Sequence, residues 1–290
     1  MSALRDDVDP EGLLEFSVVF SDRSLNSMSA VFGDVMRDIS RILKQAYNAD
    51  SMAVVPGGGT YGMEAIARQF ASNKSALIIR NGWFSYRWSQ ILDAGDIAKT
   101  QTIIKASQLS DEPTSPFAPA SLEKIKAEIT KQKPDIVFCP HVETSAGIVV
   151  PDSFIKQVSD AVHEVGGLFV LDCVASGTLF VDMQATGVDV LLTAPQKGWS
   201  ASPCAAAVMM SARGREILNT TKSSSFANDL KKWTEIMEIY ESGKHAYHAT
   251  MPTDSLRLFR DALIETESFG LEAIKNAQIE LGRRSVSYTH

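Results

Sequence analysis

With 290 residues, 44% of them hydrophobic, the chain is long enough to bury one substantial core and part of a second module, which excludes a wholly disordered polypeptide. Its 28 Lys and Arg against 35 Asp and Glu leave a formal charge of -7, with no basic run. Nucleic acid and anionic membrane surfaces are therefore repelled by the overall field, although a local basic cleft still admits one small phosphorylated ligand.

No stretch reaches the ~18 apolar residues needed to cross a bilayer, so a soluble protein is expected. Cys139, Cys173 and Cys204 lie in or beside apolar runs. Their odd number and wide spacing, without a signal peptide, predict reduced thiols in a cytoplasmic protein rather than a disulfide framework or a zinc site.

Taken in chain order, residues 29 to 48 place Val31, Met36, Ile39, Ile42, Leu43 and Ala46 on one stripe and predict a helix. A short apolar segment follows at 52 to 55, Pro56-Gly57-Gly58-Gly59-Thr60 breaks the pattern, and a helix resumes over 62 to 70. Residues 75 to 80 read as a strand, 83 to 94 as a helix and 96 to 104 as extended chain. A polar connection containing proline, 107 to 119, leads into a helix over 120 to 131 and a strand over 135 to 139. The helix at 151 to 165 has proline near its start and is closed by Gly166-Gly167.

Residues 168 to 172 form an almost wholly apolar strand ending in Asp172, and 189 to 193 and 205 to 210 are further strand candidates. Their continuous hydrophobicity predicts burial on both faces, as in a parallel sheet. Residues 211 to 246 are polar and helical, and an amphipathic helix takes over from 255, so a second domain is expected to begin near residue 250. The predicted class is α/β.

Open parallel sheets place ligand crevices at strand ends, and four polar segments stand at such ends. Gly57-Gly58-Gly59-Thr60 offers backbone amides at a helix start and a hydroxyl, a seat for phosphate, although a tight turn alone also explains it. Asp172 closes an apolar strand and needs a partner there: a cofactor's pyridinium nitrogen, a helix cap or a metal. Lys197, just beyond an apolar strand and before Gly198, can be held over a cleft, where desolvation or a nearby cation raises the fraction of free amine able to attack a carbonyl. Most lysines are simply solvated. His141, Glu143, Thr144 and Ser145 crowd polar groups after a fourth strand, which a hydrogen-bonded loop would also account for.

The joint pattern of HVETSAG at 141 to 147, VLDCVAS at 170 to 176, DVLLTAPQKGW at 189 to 199 and YHAT at 247 to 250 resembles the class V aminotransferases. These are a branch of the fold-type I pyridoxal phosphate enzymes, and within it the chain is similar to the alanine-glyoxylate and serine-glyoxylate aminotransferase group over residues 15 to 280. The resemblance implies an α/β fold-type I transferase with a three-layer, mainly parallel sheet. It divides the chain into an N-terminal arm (1 to 22), a cofactor-binding large domain (23 to 250) and the start of a truncated small domain (251 to 290).

Residue by residue, the resemblance makes Lys197 the Schiff-base lysine for pyridoxal 5'-phosphate and Asp172 the partner of its pyridine nitrogen. Ser145 would contact the phenolic oxygen side, and Gly58, Gly59 and Thr60 would form the phosphate turn with Gln196 nearby. Phe84, rather than Trp83, would stack on the ring. Tyr247 and Thr250 would reach a neighbouring subunit's phosphate, which implies a homodimer sharing its active site. The implied reaction moves an amino group from a small amino acid to a 2-oxo acid such as glyoxylate or pyruvate.

Two departures qualify that picture. The arginine that clamps the substrate carboxylate in this family would lie beyond residue 290, and Arg283 and Arg284 stand in the wrong context to replace it. At the other end, residues 15 to 23 replace the family's glycine- and proline-rich entrance. A lyase or desulfurase on the same scaffold is the nearest rival, but Gln196 stands where desulfurases carry histidine, and Cys204 lies in an apolar strand rather than a mobile loop. A non-catalytic dimeric scaffold without the carboxylate clamp is the rival from another class.

Overall fold

Strand Ser51–Pro56 (β1) is buried at every interior position, which requires cover on both of its faces. Part of that cover is α1 (Ala30–Tyr47), started by Ser29, whose hydroxyl accepts the Phe32 amide, and stopped by Asn48 in the left-handed region. Its buried stripe comprises Phe32, Val35, Met36, Ile39, Ile42, Leu43 and Tyr47, so the predicted stripe is right at its centre, whereas Val31 and Ala46 sit half-buried at its edge. The computed structural model describes residues 25–289, and the N-terminal arm expected over 1–22 lies outside them.

After β1 come α2 (Gly59–Phe70), β2 (Ser75–Arg80), α3 (Trp83–Ala94) and β3 (Thr100–Lys105), close to the segments read from periodicity. The polar connection predicted after β3 contains two short paired strands, β4 (Ser107–Gln108) and β5 (Phe117–Ala118). Next are α4 (Leu122–Gln132), β6 (Ile136–Pro140) and a small ribbon of β7 (Val142–Glu143) and β8 (Ile148–Val149). The remainder comprises α5 (Asp152–Glu164), β9 (Leu168–Asp172), α6 (Met183–Thr186), β10 (Val190–Thr193), β11 (Ala205–Met210), α7 (Ala212–Thr220), α8 (Leu230–Glu241), α9 (Thr253–Phe269) and α10 (Leu271–Thr289).

The main sheet has the order β1-β11-β10-β9-β6-β2-β3. From β10 to β3 every pairing is parallel, as buried apolar runs predict. β11 is just as buried but antiparallel to both β1 and β10. Its connection from β10 carries no helix, and without a crossover the chain returns antiparallel. Leu256, Phe259 and Leu263 of α9 join the core cluster that contains the buried face of α1. Gly270 separates α9 from α10, so the single long helix read from residue 255 is two helices.

Close packing also sets how α2 lies on the sheet. A Cβ on Gly62 would stand 2.4 Å from that of Ala206, so only glycine lets this helix approach β11. No helix among the described residues is long and apolar enough to cross a membrane.

Candidate functional site

Strand register gathers the four polar segments at one edge of the sheet. Asp172 pairs with Pro140 of β6 on one side and Leu192 of β10 on the other. The loop leaving β6 carries His141 to Gly147, and the turn leaving β10 carries Gln196 and Lys197. Because β11 is antiparallel, its first residue, Ala205, pairs with Pro56, and the exit of β1 into Gly57-Gly58-Gly59-Thr60 falls at the same edge. The antiparallel strand, which hydrophobicity did not reveal, is therefore what brings the glycine turn to Asp172 and Lys197.

Gly59, Thr60, Phe84, Asp172, Gln196 and Lys197 line one cavity of about 130 Å³. Gly58 is adjacent, a Cβ there falling 3.9 Å from Gln196 Nε2. Lys197 is exposed rather than desolvated, and its amine takes no hydrogen-bond or ion-pair partner among the described residues. Its turn is held from behind, since a Cβ on Gly198 would meet the Gly177 carbonyl oxygen at 2.2 Å.

Burial pushes the Asp172 carboxyl up to about 6, the Val174 amide donating to Oδ1 at 3.0 Å and the Arg87 charge oppose it, and the nearby Glu143 charge adds to it. The buried Oε1 of Gln196 has no partner in the protein. At the start of α2, the amides of Gly59 and Thr60 meet no acceptor among the described residues, as first-turn amides without a capping side chain do.

Ser145 does not line the cavity. Its Oγ accepts the Trp83 amide at 2.8 Å and donates to Glu143 Oε1 at 2.6 Å, while Thr144 lines the cavity instead. Glu143 is fully buried and also accepts from the Phe84 amide (3.1 Å), the Ser85 amide (2.9 Å) and the Ser85 hydroxyl (2.7 Å). Burial favours its neutral form, yet the bonds from Ser145 and Ser85 together hold the carboxyl below the usual carboxylate range. A carboxylate at the N-terminus of α3 thus orients the turn that carries Phe84. Glu143→Ala strands these donors in a buried site, and an unfolding titration is expected to show a loss of roughly 3–5 kcal/mol.

Tyr247 and Thr250 lie outside this cavity. Both are exposed, and their hydroxyls stand 3.4 Å apart. His248 between them anchors the segment, through the Phe226 carbonyl at 2.9 Å and edge-on packing against Trp233. Cys204 is buried, and burial pushes its thiol up to about 11, which does not suit the mobile thiolate of a desulfurase. Arg87 also lines the cavity and escaped the sequence reading. Its position three residues after Phe84 on one helix face was the available signal.

The family model for aminotransferase class-V matches residues 16–287. The chain belongs to the class-V aminotransferase family. Alanine--glyoxylate aminotransferase 1 of Saccharomyces cerevisiae is 29% identical over 254 residues, covering 83% of this chain and 63% of that protein. The crystal structure of an alanine--glyoxylate aminotransferase from Nostoc sp. matches with a TM-score of 0.75 and 26% identity, covering 87% of this chain and 64% of that one. A cysteine desulfurase from Thermococcus onnurineus NA1 matches in fold alone, with a TM-score of 0.63 at 12% identity over 91% of this chain and 64% of that one. This class-V chain spans about three-fifths of the length of the curated relatives it matches.

Pyridoxal 5'-phosphate is the cofactor that membership of this family gives the chain. The cavity's chemistry fits that group: a half-buried strand-end carboxylate without a cationic bond partner, helix-start amides with no acceptor among the described residues, and a lysine amine with no partner among them.

Proposed function

We propose that this protein transfers an amino group from a small amino acid to a 2-oxo acid such as glyoxylate or pyruvate, as a homodimer in the cytoplasm. The observation that carries the reading is one cavity walled by both the strand-end carboxylate Asp172 and the unpaired amine Lys197. When bound, pyridoxal 5'-phosphate supplies an aldehyde that condenses with amines and an electron sink for charge left at the amino acid's α-carbon.

The chain's own residues then divide the work. Lys197 would supply the amine that holds the aldehyde group and the base placed to move the α-proton. Asp172 would keep a proton on the pyridine nitrogen, Phe84 would cover the ring, and Gly58, Gly59, Thr60 and Gln196 would hold the phosphate. We assign Ser145 to the phenolic side, where its bond to the Trp83 amide couples the 141 to 147 loop to α3. The glyoxylate aminotransferases named above support the substrate class, and three buried free thiols suit a reducing compartment.

Incubating the loaded protein with alanine, serine, glycine or an aminophosphonate, one donor at a time, tests the reading. Stoichiometric oxo product from at least one donor is expected; bound cofactor with no product from any of them refutes amino transfer.

Tyr247 and Thr250, exposed and outside their own subunit's cavity, are proposed to complete the partner's phosphate seat. The double variant Tyr247→Phe, Thr250→Ala is expected to weaken cofactor binding roughly 10-fold or more, from the loss of two hydroxyls bonding a charged group. Light scattering with cofactor absorbance checks it: a fully loaded monomer contradicts the shared site.

A further inference from the structure

Arg87 stands on α3 three residues after Phe84, so both side chains leave the helix toward the cavity they line. Its Nη1 donates to the Thr60 hydroxyl at 3.1 Å. That hydroxyl belongs to the first turn of α2, whose Gly59 and Thr60 amides have no acceptor among the described residues. Among the described residues Arg87 forms no ion pair within 4 Å, its charge acting on Asp172 only through space, whereas most of the other arginine forks do find a carboxylate.

A guanidinium and the positive end of a helix repel one another, and this protein holds them together at the wall of one cavity in a molecule whose net charge is -7. An anion lying between them relieves that repulsion. Guanidinium forks match phosphate oxygens in two-point bonding, so the anion that suits this place is a phosphate monoester.

We propose that Arg87 is a phosphate-binding residue that makes the cavity select a dianionic phosphate monoester over the same compound without its phosphate. The inference rests on the reading of this cavity as the pyridoxal 5'-phosphate site and adds a charge to it that neither the glycine turn nor Thr60 supplies. Arg87 is half-exposed and ends no buried ion pair, so replacing it leaves the fold intact.

The test measures the dissociation constants of pyridoxal 5'-phosphate and of unphosphorylated pyridoxal by quenching of tryptophan fluorescence. Wild-type chain, Arg87→Met and Arg87→Lys are compared, with inorganic phosphate as a competitor. Arg87→Met is expected to weaken pyridoxal 5'-phosphate roughly 10- to 100-fold while pyridoxal changes less than about 3-fold, and Arg87→Lys to recover part of the difference. Inorganic phosphate should compete less well against the phosphorylated ligand in Arg87→Met than in wild type. An unchanged ratio between the two ligands in Arg87→Met overturns the assignment, as does an equal loss of both. Wild-type chain that binds neither ligand overturns the cofactor reading itself, and the inference with it, so the two failures are told apart by the wild-type titration.

Discussion

Lys197→Ala is expected to abolish the visible absorbance band that appears when pyridoxal 5'-phosphate is added, together with all amino transfer, while leaving the fold untouched. The amine is exposed and unpaired, so truncating it removes no packed surface and no hydrogen bond. Thermal unfolding should therefore shift by no more than about 0.5 kcal/mol, the usual range for surface substitutions. On the proposed mechanism the same amine is both the nucleophile toward the aldehyde and the base for the α-proton, and loss of a positioned base alone costs roughly 10²- to 10⁴-fold in rate. Borohydride reduction followed by peptide mapping checks the assignment. A reduced adduct found on another lysine, with Lys197→Ala still active, would remove Lys197 from the mechanism.

Asp172→Asn should have two effects of opposite kind. The amide cannot hold a proton on the pyridine nitrogen, so the proton-transfer step in a single turnover is expected to slow at least 10²-fold while phosphate affinity changes little. Stability should move the other way. In the folded protein the carboxyl is raised to about 6 from an unfolded value of 3.8, chiefly by desolvation. A raised carboxyl contributes stability that is fully present below pH 3.8 and lost as the pH rises to 6, so the ligand-free protein at pH 8 carries the full penalty of an ionised Asp172.

Removing that penalty makes ligand-free Asp172→Asn the more stable protein at pH 8, by roughly 3 kcal/mol, with the advantage gone near pH 3.8. His141 acts in nearly the same window with the reverse sign. Buried and bonded through Nδ1 to Ser176 at 2.7 Å, it is lowered to about 4 by desolvation, so its contribution is present above pH 6.5 and lost as the pH falls to 4. The wild-type profile is thus expected to be shallow between pH 4 and 6, and Asp172→Asn to expose the slope due to His141. Denaturant titrations of the ligand-free proteins across that range check both statements. A variant no more stable than wild type at pH 8 would show that Asp172 is not desolvated.

Much of the fold was legible in the sequence because local rules and tertiary environment agree there. Residues 75 to 80, 83 to 94, 168 to 172 and 205 to 210 form the elements that periodicity and unbroken hydrophobicity predict, since a strand buried on both faces has no polar position to confuse the reading. The direction of β11 was not legible, because an apolar run carries no signal for parallel or antiparallel pairing. The ribbon of β7 and β8 was missed for another reason: two residues per strand leave no period to detect.

What the sequence determined by itself was the chemistry: an acid closing one apolar strand, a lysine beyond another, a glycine turn before a helix, and a joint motif pattern that matches one family. Those features depend on residue type and local spacing. Only the tertiary structure decided which of these groups meet, because that follows from strand register and from α2 and α3 converging on one sheet edge. Register sets Asp172 between Pro140 and Leu192, and the antiparallel β11 brings Pro56 and the glycine turn alongside. It also turned Ser145 toward Glu143 and the Trp83 amide, left Lys197 exposed, and drew Arg87 to Thr60 across 27 residues of chain. A guanidinium on one helix and a hydroxyl on another share no local pattern, so their meeting is a property of packing alone.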